Sequence, residues 1–181
     1  MKTLPHILSI ALLAICFTAT AQVTLNEVCS KNTNSLEVDG KSPDWIELYN
    51  AGSASVNLQG YKLSDNKDEP NKWTFPSIDI PANGYLLILA DGDDKLDSYA
   101  HTNFKLSTGG EDVLLSNVSG ELIDDVDVVS LSEDITYSKI DGEWKRTFPS
   151  PGAANAGNEL PQIAKPTFSK QTGLYLSLIH I

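Results

Sequence analysis

Arginine is all but missing from this chain of 181 residues: Arg146 stands alone. Lys and Arg together number 13 against 24 Asp and Glu, for a formal charge of −11 at pH 7 and a pI near 4.5. That shortage argues against a nucleic-acid partner, because gripping phosphates takes clustered Lys and Arg that release counterions. Cysteine is scarce too, with Cys16 in an apolar N-terminal run and Cys29 beyond it. There is no Cys-x-x-Cys, no Gly-x-Ser-x-Gly and no Gly-x-x-x-x-Gly-Lys. The usual zinc, nucleophile and nucleotide arrangements therefore lack their parts, and no residue is assigned to catalysis, a cofactor or a metal. What is present suits a globular protein. Hydrophobic residues make up 41% and charged residues 20%, away from the polar, highly charged composition that keeps chains disordered.

The N-terminus reads as an export signal. Lys2 supplies a positive start, residues 7–17 are apolar except for Ser9, and Ala19-Thr20-Ala21 has the small-x-small form of a cleavage site. Cleavage is expected before Gln22, giving a secreted or cell-surface protein. A membrane anchor needs about 20 apolar residues, and this run is nearer half that length. A lipoprotein variant would use Cys16, but Ile15 precedes it where a small residue belongs. Removing residues 1–21 leaves Cys29 without an intramolecular disulfide partner, so a hydrophobic core must hold the fold. Cys29 itself reads as a small buried hydrophobe. No later run is long enough to span a membrane.

Periodicity points to strands. No window after residue 21 sustains helical apolar spacing, whereas short alternating or continuous apolar runs recur between turn residues. The first expected strand is 23–29, followed by a polar stretch to Pro43. In Asp44-Trp45-Ile46-Glu47-Leu48-Tyr49-Asn50, Trp45, Glu47 and Tyr49 share one face and Ile46 and Leu48 the other. Val56 and Leu58, then Tyr61 and Leu63, and then residues 73–75 continue the series. Pro81-Ala82-Asn83-Gly84 turns the chain into the unbroken apolar run 85–90, expected to be a central strand covered on both faces. Further strands are expected at 104–106, 113–115, 122–129, 136–140 and 143–148. Eight to ten short strands at such spacing predict an all-β, immunoglobulin-like sandwich.

Leu25-Asn26-Glu27-Val28, then residues 44–50, then Val56-Asn57-Leu58-Gln59-Gly60-Tyr61-Lys62-Leu63-Ser64-Asp65 resemble the lamin tail domain of exported bacterial proteins. Trp73-Thr74-Phe75-Pro76, Ile80-Pro81-Ala82-Asn83-Gly84-Tyr85 with Ala90-Asp91-Gly92, and Phe104-Lys105-Leu106-Ser107 with Gly110-Glu111 follow in the same order. Phe148-Pro149-Ser150-Pro151-Gly152-Ala153-Ala154-Asn155 closes the series. The resemblance implies an immunoglobulin-like sandwich used for adhesion or anchoring, without catalysis of its own. After a linker at 158–165, residues 166–181 are similar to the opening strand of the β-sandwich that ends chitobiase and hexosaminidase enzymes. The expected organisation is a signal peptide at 1–21, a lamin-tail-like domain at 22–157, the linker, and the start of a second, incomplete β domain. The arrangement resembles the front of exported proteins that carry a CotH-type kinase domain.

The chemistry-bearing side chains have plain structural readings. Trp45 and Tyr49 are expected to pack, and Glu47 either to reach solvent at a strand edge or to be buried with a hydrogen-bond partner. Asp44 and Glu47 as a paired acid and base is the less favoured reading. The acidic stretch Asp91-Gly92-Asp93-Asp94, and Asp124 and Asp125 with Asp127, raise calcium, but the first lacks the spacing of a recognised loop, so solvated charge is expected. His101 is expected on the surface in a loop. Asn117-Val118-Ser119 matches a glycosylation acceptor pattern, one common by chance. The leading expectation is a non-catalytic adhesion or scaffold module whose partner is a protein or cell-surface glycan. One alternative is an accessory domain of a larger secreted kinase, nuclease or glycosidase. The other is a carbohydrate-binding module, which needs some of Trp45, Trp73, Trp144 and Tyr85 exposed in a row.

Overall fold

A computed structural model describes residues 22–157; the expected signal peptide (1–21), linker (158–165) and second-domain start (166–181) lie outside the described residues. Twelve strands form among those described and no helix does. They are β1 (Val23–Cys29), β2 (Trp45–Asn50), β3 (Val56–Asn57), β4 (Lys62–Ser64), β5 (Trp73–Thr74) and β6 (Asp79–Ile80). The second half adds β7 (Tyr85–Leu89), β8 (Ala100–His101), β9 (Gly110–Ser116), β10 (Leu122–Val129), β11 (Thr136–Ile140) and β12 (Glu143–Thr147).

Six strands make one sheet in the order β12-β11-β1-β2-β7-β8, four make another in the order β10-β9-β4-β5, and β3 pairs with β6. Every pairing is antiparallel except β7 with β8. Alternation explains how the two larger sheets meet. Leu25, Val28, Ile46, Leu48 and Ile88 point inward from the six-stranded sheet onto Leu63, Val113, Leu115, Val126 and Val128 of the other. This is the immunoglobulin-like sandwich that the alternation predicted, with the core formed by the two inner faces.

Local chemistry sets the corners. Asp141 (φ 51°) and Gly142 (φ 82°) form a two-residue turn with both residues left-handed, matching the twist of the β11–β12 hairpin. Gly110 opens β9 with φ 98°, and a Cβ there would sit 2.6 Å from the Val128 carbonyl oxygen, so no other residue fits.

Three expectations change. Residues 104–106 form no strand; Lys105 makes only an isolated bridge with Asp91. The pairs at β6 and β8 were not anticipated, because two-residue strands leave no periodicity to read. β7 is not fully central: β8 pairs only Ile88 and Leu89, leaving Tyr85, Leu86 and Leu87 half-buried along an open edge.

Candidate functional site

The outer face of the six-stranded sheet carries the unusual chemistry. A β-bulge between Leu25 and Glu27 inserts Asn26 into β1, so that Leu25 pairs with Leu48 while Glu27 pairs with Glu47. Unbroken alternation from Leu25 would point Glu27 into the apolar core; the bulge turns it outward beside Glu47. Both carboxylates are nevertheless completely buried. A strap formed by residues 150–155 crosses over them. Glu27 accepts from Thr136 Oγ1 (2.6 Å), Ser138 Oγ (3.0 Å), Ser150 N (3.1 Å) and Ser150 Oγ (3.0 Å). Glu47 accepts from Asn26 Nδ2 (2.8 Å) and Gly152 N (2.5 Å). Asn155 ties down the far end of the strap, its Nδ2 donating to the Asn26 (3.0 Å) and Lys139 (2.9 Å) carbonyls while its Oδ1 accepts from Ser150 Oγ (3.0 Å).

Burial dominates the titration of both acids. It raises Glu27 above the ordinary carboxylate range against the pull of its hydroxyl donors, and it lifts Glu47 to about 7, with the nearby Glu27 charge adding to the lift. A buried carboxyl pair could serve as acid and base only if substrate reached it. Here the strap and β11 occupy the oxygens.

A family model described as Lamin Tail Domain matches residues 17–130. The chain belongs to the lamin tail domain family. No match is found among curated proteins. The matched stretch ends before β11, while β11 pairs with β1 in the same sheet and the strap crosses its outer face.

At the opposite end of the same face, the loop at 30–43 lies over Cys29, Trp45 and Leu89, with Leu36 and Val38 packed against them. The loop is stapled by polar side chains. Asn32 donates through Nδ2 to the Leu36 (2.6 Å) and Pro43 (2.7 Å) carbonyls and accepts from Ser35 N (2.9 Å). Asp134 accepts from the backbone N–H groups of Thr33 (2.8 Å) and Asn34 (2.9 Å) and from the Thr33 hydroxyl. These donors hold its carboxyl below the usual range. Burial pushes the Cys29 thiol up to about 12, which leaves it inert as a nucleophile.

Beside this loop of the lamin tail domain lies a cleft of about 320 Å³ lined by Asp39, Lys41, Ser42, Asp91, Asp93, Lys95, His101 and Lys105 among others. His101 departs from expectation. It is buried in β8, because its ring sits between two carboxylates, Asp91 Oδ2 at 2.8 Å from Nδ1 and Asp97 Oδ1 at 3.1 Å from Nε2. One nitrogen of His101 and carboxylate oxygens of Asp91 and Asp93 lie within 4.8 Å of one another, the right residue types for a cation. Positive charge is already supplied, since Lys95 pairs with Asp97 (3.0 Å) and Asp93 (3.7 Å) and two further lysines line the cleft. Lys95 and the His101 ring thus tie Asp91, Asp93 and Asp97 together across the 91–101 segment.

The other sequence candidates are dispersed. Asp44 is not paired with Glu47; its carboxylate accepts from Asn32 N at 2.9 Å. Asp94 accepts from Trp73 Nε1 (3.0 Å). Asp124, Asp125 and Asp127 lie on strand β10, not on a loop, and Asp124 pairs with Lys139 (2.8 Å). Asn117 sits before the β9–β10 turn, donating to Glu121 at 2.8 Å. Trp45 and Trp73 are buried, while Tyr85 stacks on Tyr49 and Trp144 on Tyr137, so the four aromatics make no exposed row. Glu27, Asp134 and Asn155 went unrecognised. Glu27 and Asn155 do lie inside resembling blocks, but nothing in the linear sequence says that Asn155 meets Asn26, 129 apart in number, or that Ser150 meets Glu27.

Proposed function

We propose that this lamin tail domain serves as a non-catalytic extracellular adhesion or scaffold module, exported through residues 1–21 and engaging a protein or a cell-surface glycan. The observation that supports this reading is where the buried titratable groups are spent. Glu27 and Glu47 hold the strap, and His101 with its aspartates holds the loop beside the cleft. Side chains used in this way give a sandwich with firmly held loops at one end, suited to presenting a surface. The cleft between the 37–43 and 91–105 segments, with both signs of charge, is the favoured contact region. The carbohydrate-binding reading loses its row of aromatics. Two measurements test the proposal. Expression of the full chain in an exporting host should yield a mature N-terminus at Gln22. The purified product should be retained on envelope fractions, and loss of retention on reversing Lys41 and Lys105 to Glu would place the contact at the cleft. A product that binds no protein, glycan or envelope fraction overturns the reading.

A further inference from the structure

The Glu27–Glu47 pair does something that the binding role does not require. The two side chains are directly opposite each other on β1 and β2, on one face, with no exposure to solvent. The donors that reach them are neutral: Asn26 from the bulge, Thr136 and Ser138 from β11, and Ser150 and Gly152 from the strap. β7 places Leu87 opposite Glu47 and Tyr85 two residues away, and β12 places Lys145 opposite Ser138, where it ion-pairs with Glu143 at 3.7 Å. A second negative charge in this layer meets both desolvation and the first charge. Glu27, with most of the donors, is the member suited to remain ionised; Glu47, with two, is the member suited to keep a proton.

We propose that Glu27 and Glu47 hold a single proton while the strap is closed, and that losing it to solvent lifts residues 150–155 off the sheet, making the strap a proton-operated latch. The strap is the element that yields because, among the described residues, it is tied down at the edge of the site through hydrogen bonds from Ser150, Gly152 and Asn155. β1 and β2, by contrast, are paired along their length and anchored in the core. Once both carboxylates are charged, admitting water over them is the available relief, and water enters where the strap lies. The lift of Glu47 to about 7 places the change near neutral pH. This latch stands apart from the question of what the domain binds.

Hydrogen exchange on the full chain tests it. The Gly152 amide, which donates to Glu47, is compared with the Ile46 amide in the interior of β2 between about pH 5 and about pH 8, after correction for intrinsic exchange. The opening constant of Gly152 should rise by up to about tenfold per pH unit between about pH 5 and about pH 7, level off above that, and stay well above the opening constant of Ile46, which reports global unfolding. In Glu47→Gln, which cannot ionise there, Gly152 should show no such slope. A flat Gly152 profile in the wild type, or an equal slope in the variant, overturns the latch. Should the variant fail to fold, carbon-13 titration of the wild-type glutamate carboxyls decides: one buried carboxyl changing state near neutrality supports the latch, and both ionising below about pH 5 refutes it.

Discussion

Replacing Asn155 with alanine isolates the strap from the rest of the fold. The side chain donates to the backbone carbonyls of Asn26 and Lys139 and accepts from the Ser150 hydroxyl, all within 3.0 Å, and it is half-buried. A neutral hydrogen bond contributes a net of about 1 kcal/mol, and the two carbonyls lose their donor outright. Three such bonds give about 2–3 kcal/mol, toward the lower end because water can reach part of the site. At about 2–4 °C per kcal/mol for a domain of this size, the melting temperature should fall by about 5–10 °C. Urea titration gives the free energy directly, and an unchanged slope with a lower midpoint would show lost stability without a changed unfolded state. Asn155→Asp is the informative contrast. It keeps volume and acceptor but turns a donor into a charge beside Glu27 and Glu47, so near neutral pH it should be at least as damaging. If Asn155→Ala lies within about 0.5 kcal/mol of the wild type, the strap adds nothing to the fold and the reasoning fails.

Other perturbations have equally definite outcomes. Because the folded state raises Glu47 from 4.5 to about 7, folding favours the protonated form, so this group's contribution is fully present below about pH 4.5 and lost as pH rises through 7. The loss is at most about 3 kcal/mol. Asp134 acts in the opposite sense, stabilising above its ordinary value of 3.8 and less as pH falls below it, so the stability optimum should be mildly acidic. Urea midpoints should be higher near pH 5 than near pH 8, and Glu47→Gln should flatten the difference; a higher midpoint at the alkaline end contradicts the assignment. Cys29 should resist thiol reagents in the native protein and react fully in denaturant, and rapid native labelling would show that the 30–43 loop does not cover it. Gly110→Ala should cost about 2 kcal/mol or more, since it combines a φ of 98° with a Cβ 2.6 Å from the Val128 oxygen; a neutral result by thermal melting would mean β9 starts elsewhere.

The parts of this fold that were legible are those with a strong period. β10 and β11 run over the residues expected, and Trp45, Glu47 and Tyr49 do share a face. Alternation is visible because each apolar inward position answers to a core partner. The site was less legible, for two reasons. A bulge breaks the period: Asn26 between Leu25 and Glu27 reverses the side on which Glu27 emerges, and no residue type announces that shift. Polar burial is also invisible locally. His101 reads as a surface residue from its loop-like neighbours, and only the fold brings Asp91 and Asp97 to its two nitrogens. The 104–106 run failed for the converse reason. Phe104 and Leu106 are buried in the core, so they look like a strand while the backbone between them makes a single bridge.

The two covers on the outer face are held by different physics, and this decides which of them gives way. The 30–43 loop rests on Trp45, Cys29 and Leu89, apolar surfaces whose burial is favourable at any pH, and Asn32 reinforces it with bonds to neutral backbone groups. The strap rests on carboxylates. Its donors bond an ionised carboxylate more strongly than a neutral one, but burial and the neighbouring charge outweigh that gain, so the closed state with both acids charged is the costly one. An apolar pair in place of Glu27 and Glu47 would seal the face unconditionally, and replacements of that kind are often neutral or stabilising. Keeping two acids under a segment pinned by Ser150, Gly152 and Asn155 makes closure of that segment conditional, while the loop on the same sheet stays shut.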